Sequence, residues 1–152
     1  MKIAQKIITI CSSASHYKQA LEIEMELKKL GFKVNIPSTA RIMKRKNDYD
    51  VSHYKTWYKN KKDYAKKTRL MLAHFKKVIE SDAILVTNYE KNGLQGYIGG
   101  NALMEMTLAF INKKPIFVLN PIDKNLNVKE EVYGLNSIFL NGNLNLIKKK
   151  LK

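Results

Sequence analysis

The stretch DAILVTN, residues 82–88, constrains the fold most. Its apolar run is continuous and short, which reads as a strand, and a strand with no polar side must be covered on both faces. KIITIC (6–11) and PIFVLNP (115–121) repeat the pattern, FKVNIP (32–37) is a shorter strand ended by Pro37, and a weak strand is expected at Ser137–Leu140. Between them the period changes to that of helices. HYKQALEIEMELKKLG (16–31) sets Tyr17, Ala20, Leu21, Ile23, Leu27 and Leu30 at helical spacing and stops at Gly31. From Asp63, one stripe of Tyr64, Met71, Phe75, Val78 and Ile79 predicts a helix with lysines elsewhere. ALMEMTLAFINKK (102–114) is a third helix, a short one is expected near Val128–Tyr133, and a Lys-rich one closes the chain. Strands alternating with helices predict an α/β protein with a parallel sheet covered on both sides. No repeat, low-complexity linker or composition break divides the chain, so residues 1–152 read as one domain.

The single cysteine, Cys11, excludes an internal disulfide and a cysteine-built zinc site, and fits a reducing compartment. The start MKIAQKIITICSSAS faintly imitates a signal peptide, but its apolar segment Ile7–Cys11 is too short. No stretch approaches the roughly 20 apolar residues of a membrane helix. These features predict a soluble cytoplasmic protein with no membrane partner. The charge is +15, and residues 41–77 hold 13 Lys or Arg against three Asp. Such a stretch attracts phosphates, of a nucleotide or of a nucleic acid. Nucleic acid is the lesser alternative, because 25 of the 28 basic residues are Lys and base-edge recognition leans on Arg. His53, Tyr54, Trp57, Tyr58 and Tyr64 interleave with these cations. They either stack on a nucleobase or anchor a long loop onto the body.

In a parallel sheet, ligands bind beyond the carboxyl ends of the strands, where strand order reverses. The loops expected there are SSASHY (12–17), NYEKNGLQGYIGGN (88–101) and NPIDKN (120–125). Directly after the second comes Glu105, a lone carboxylate in the apolar run YIGGNALMEMTLAF. If Asn101 lies near the helix N-cap, Glu105 falls in or just after the first turn. There it serves the macrodipole or a capping box, or it stands at the ligand crevice as nucleophile or base. SSASHY offers hydroxyls and backbone N–H groups to an anion, although Ser13 or Ser15 as a helix cap explains it equally. Cys11 ends a buried strand and reads as an inert core thiol rather than a partner of His16. His16, His53 and His74 show no metal-ligand spacing, so no metal and no cofactor are expected.

The first strand with its Ser-containing loop, SDAILVTNYEKN, the Gly-rich turn, the following Glu and KKPIFVLNP together resemble the nucleoside 2-deoxyribosyltransferase-like superfamily. That group includes the nucleoside 5′-monophosphate N-glycosidases. The resemblance implies a three-layer flavodoxin/Rossmann-like sandwich with a mainly parallel five-stranded sheet. It also implies an enzyme that cleaves or exchanges the N-glycosidic bond of a nucleoside or nucleoside 5′-monophosphate, as hydrolase or transferase, with Glu105 as nucleophile. Ser12 and Ser13 stand where the family has Gly-Ser to hold sugar or phosphate. Tyr17, Gly99, Gly100 and Asn101 fall around the sugar and Asn120 along the cleft. The family aspartate that handles the proton of the leaving base corresponds to His74, which either donates that proton or is half-buried packing. Related enzymes share sites between subunits, so a homo-oligomer is implied. The alternatives are a domain that senses a nucleotide without cleaving it, and a nucleic-acid-binding protein using residues 41–77.

Overall fold

Five parallel strands form one sheet in a computed structural model that describes residues 4–151. The first three residues of the lysine-flanked start, and the last residue of the expected domain, lie outside the described residues. The strands are β1 (Ile7–Cys11), β2 (Lys33–Asn35), β3 (Ala83–Val86), β4 (Ile116–Val118) and β5 (Ile138–Phe139), in spatial order β2-β1-β3-β4-β5. The helices are α1 (Tyr17–Lys29), α2 (Ser38–Lys46), α3 (Tyr64–Glu80), α4 (Gly100–Ile111), α5 (Lys129–Gly134) and α6 (Asn145–Lys150). This is the expected α/β, flavodoxin/Rossmann-like architecture.

The period of two along each strand divides two apolar layers. Ile8, Ile10, Leu85 and Phe117 pack with Leu21 and Leu27 of α1 and Ile147 of α6. Cys11, Ile84, Val86 and Val118 pack on the other face with Val78 of α3, Met106 of α4 and Val132 of α5. Both faces are covered by apolar side chains, so an unpaired charge is tolerated only past the ends of the strands.

Two local expectations need correction, and one helix was not foreseen. The stretch after Pro37 is helical as α2, although only Ala40 and Met43 are buried on it. Beside these two core residues the helix carries an ion pair: Arg41 forks onto both carboxylate oxygens of Glu24, which is 2% exposed, and Lys28 approaches the same group at 3.6 Å. On α3 the buried residues are His74 and Val78, whereas Tyr64 and Ile79 are nearly half exposed. The loop after β4 does not reach the crevice. Strand order reverses between β1 and β3, so β4 lies one strand away from the opening.

That β4 loop braces the β3 loop. Asn88, 1% exposed, donates from Nδ2 to the carbonyls of Gly96 (3.1 Å) and Asn120 (2.8 Å) and accepts from the Asn120 N–H (2.9 Å). Asn120 Nδ2 returns a bond to the Asn88 carbonyl at 2.7 Å. Gly96 makes the close approach, with φ +63°. A Cβ there would run into the Pro121 carbonyl oxygen and lie 2.9 Å from Asn88 Nδ2. Gly96→Ala is therefore expected to cost at least about 2 kcal/mol, by left-handed strain plus collision. Urea denaturation measures it, and a loss below about 0.5 kcal/mol would show that the loop yields instead.

Candidate active site

The carboxyl ends of β1 and β3, with the first turns of α1 and α4, open onto a cavity of about 460 Å³. Ser12, Ser13, Tyr17, His74, Gly99, Gly100, Asn101 and Glu105 all line it. Asn120 is not among its lining residues. Its amide is spent on Asn88, which corrects the expectation that it borders the cleft.

The helix of Glu105 starts earlier than expected, with Gly99 in extended conformation at the N-cap. Asn101 is thus its second residue, and Glu105 lies in the second turn, beyond reach of the N-cap. The capping-box explanation is thereby removed. Glu105 is 8% exposed and points to the cavity floor. Burial raises its carboxyl to about 7, while the Cys11 thiol beside it and the Lys67 charge pull the other way.

Cys11, His74 and Glu105 bring their donor atoms within 4.8 Å of one another. Cys11 was expected to be an inert core thiol, yet it stands against the carboxylate because it ends β1 at the switch point. Burial and the Glu105 charge hold the thiol protonated, well above its usual range. Cysteine, histidine and glutamate are a donor set that transition metals accept. His74 Nε2, 3.8 Å from Glu105 Oε2, bonds the Ile10 carbonyl at 3.0 Å, which leaves Nδ1 as the ring nitrogen with a lone pair to offer a metal. A carbonyl only accepts, so Nε2 carries the ring proton. The buried Nδ1 has no partner among the described residues, and burial lowers the ring pKa to about 4. A neutral ring whose proton is committed to the backbone is a poor acid for a leaving base at neutral pH, which counts against that role for His74.

The serines divide their work. Ser12 donates to the Thr87 carbonyl at 3.1 Å and ties the β1 and β3 ends together. Ser13 faces the cavity and accepts from Lys91 Nζ at 3.2 Å. Neither Ser13 nor Ser15 caps a helix through its hydroxyl: Ser13 stands at the N-cap of the 3-10 turn Ala14–His16 but its side chain bonds none of the turn's N–H groups, and His16 precedes α1. Tyr17 is held as the phenol, first by burial and then by Glu105.

The opposite wall comes from residues 47–63, which wind through 3-10 turns at Val51–His53, Thr56–Tyr58 and Lys61–Asp63. Trp57 is 5% exposed while Tyr58 is 74% exposed, and Tyr54, Trp57, Tyr58 and Tyr64 all border the cavity. The basic stretch proves heterogeneous. Arg41 binds Glu24, Lys77 donates to the Ile36 carbonyl at 2.8 Å, and Lys44, Lys46, Lys59, Lys61 and Lys62 are exposed. Lys55 and Lys67, with Lys91 from the β3 loop, face the cavity, and none has a carboxylate within 4.0 Å among the described residues. Burial lowers all three, and the Lys55 charge adds to it at Lys67 and Lys91. Spacing pointed to none of these lysines, although Lys67 precedes His74 by two helical turns and so shares its face.

No family model and no curated protein matches this chain.

Keeping Glu105 in the cavity floor costs stability in a defined pH window. The folded pKa is raised from 4.5 to about 7, so the carboxylic acid is favoured below 4.5 and the stability it contributes is lost as pH rises through 7. At about 1.4 kcal/mol per unit, the loss is up to about 3 kcal/mol. Glu105→Gln is expected to match wild type near pH 4.5 and to exceed it increasingly up to pH 8. Denaturant unfolding across this range measures the difference, and a constant difference would show that Glu105 titrates normally.

Proposed function

We infer that the protein cleaves or exchanges the N-glycosidic bond of a nucleoside or nucleoside 5′-monophosphate, with Glu105 as nucleophile. The observation that carries this reading is Glu105 itself: one buried, strongly perturbed carboxylate at the floor of a cavity at the sheet's switch point, away from the helix cap and with no Lys or Arg within 4.0 Å among the described residues. The resemblance to the nucleoside 2-deoxyribosyltransferase-like superfamily supplies the reaction class. Attack of the Glu105 oxygen on the anomeric carbon releases the base and leaves a glycosyl ester, which water hydrolyses or a second base takes over. Gly99 at the N-cap of α4, and Gly100 and Asn101 in its first turn, present to the sugar backbone N–H groups that a helix start leaves without intrahelical partners, and Tyr17 offers its phenol. Lys91 with Ser13, and Lys55 across the cavity, favour a substrate that carries phosphate.

One observation favours a second reading, a domain that binds a nucleotide without cleaving it: His74 has no free proton to give the leaving base. Nucleotide recovered intact after prolonged incubation would support that reading.

Incubation with a panel of ribo- and deoxyribonucleosides and their 5′-monophosphates is expected to release free base, detected by chromatography, with monophosphates preferred. Glu105→Ala is expected to lose at least about a thousandfold. Because the nucleophile must be ionised, kcat/KM is expected to rise with pH through about 7. Absence of base release from every member, with or without an acceptor base, would replace the enzyme reading by the binding one.

A further inference from the structure

If Glu105 is the nucleophile, a proton must still reach the departing base, and the cavity holds few groups able to supply it. His74 directs its one ring proton to the Ile10 carbonyl. Tyr17 and Cys11 are held more firmly protonated than usual by burial beside Glu105. Lys67 differs from all of them. It lines the cavity on the same face of α3 as His74, seven residues earlier. Two helical turns amount to about 10 Å of rise, which sets Lys67 apart from His74 along the cavity wall while its charge still acts on Glu105. Its ammonium lies 5.5 Å from the Trp57 ring centroid, a π-face that steadies a cation without taking its proton. It has no carboxylate within 4.0 Å among the described residues, so its proton is not committed. The charges that face it are Lys55 and Glu105.

We propose that Lys67 is the proton donor to the leaving base. The proposal rests on the reading of Glu105 as nucleophile. As the Glu105 oxygen bonds the anomeric carbon, the bond from that carbon to the base nitrogen breaks. Its electron pair passes to the base, and the base takes a proton from Lys67 Nζ. The neutral amine then removes a proton from the water that attacks the glycosyl ester. This gives the free sugar, restores the Glu105 carboxylate and returns Lys67 to its ammonium form. Burial and the Lys55 charge outweigh the pull of Glu105 and lower the Lys67 pKa, so its ammonium is a stronger acid than an exposed lysine.

The test compares wild type with Lys67→Arg, which keeps the positive charge but cannot give up a proton near neutral pH. Two substrates are used: the best nucleotide of the panel, and the same sugar phosphate bearing 4-nitrophenolate, which departs without a proton. Lys67→Arg is expected to lose at least about 100-fold in kcat/KM on the nucleotide and less than about 10-fold on the nitrophenyl analogue. It is also expected to lose the basic limb of the wild-type pH profile, and this limb decides the matter if wild type rejects the analogue. Equal losses on both substrates with the basic limb retained, or no loss on the nucleotide, would overturn the proposal while leaving Glu105 in place. A wild type inactive on both would remove the Glu105 reading as well.

Discussion

The sheet of this protein is apolar on both faces, and the remainder of the architecture answers to that constraint. Ile8, Ile10, Leu85 and Phe117 face one helical layer, while Ile84, Val86 and Val118 face the other. An ionised group is excluded from either layer by its desolvation cost. Charge can approach the centre of the molecule only past the ends of the strands, and the reversal of order between β1 and β3 opens such a place. Glu105, Lys67 and Ser13 all line that place.

Electrostatics then sets the character of the cavity. Burial dominates every shift: it raises Glu105, Cys11 and Tyr17 and lowers His74, Lys55, Lys67 and Lys91. Acids become weaker and bases less charged, so carboxylate and ammonium are brought toward the neutral range from opposite sides. The supporting shell is polar and well bonded. Asn88 joins the β3 and β4 loops, Ser12 joins the ends of β1 and β3, and the Glu24–Arg41 pair fixes α2. Ser38 and Thr39 of α2 in turn border the cavity.

Much of the fold was legible in the sequence because its signals are local. Continuous apolar runs identify β1, β3 and β4, and Gly31, with φ +97°, ends the first helix where expected. The α2 helix was not legible, since two buried residues in nine leave no stripe and its anchor, Glu24, lies on another element. Glu105 stood out because a lone charge in an apolar run violates the local pattern. Cys11 did not, since a cysteine at the end of an apolar strand conforms to it, and only the folded chain brings it against Glu105 and His74. Asn120 shows the opposite error: a polar residue after a strand was assigned to the cleft, but its strand lies one place too far from the switch point. Lysines in a Lys-rich chain carry almost no positional signal, so the three that face the cavity emerge only from the folded structure.

The most direct test of Glu105 as nucleophile is to trap the glycosyl-enzyme. A 2′-deoxy-2′-fluoroarabinosyl analogue of the best panel nucleotide slows breakdown of the ester more than its formation, and mass spectrometry of the digested protein locates the adduct. The account predicts one sugar phosphate on the peptide that contains Glu105, formed in step with base release and absent from Glu105→Gln. Base released from the analogue with no adduct on that peptide, or with the adduct on another residue, would contradict it.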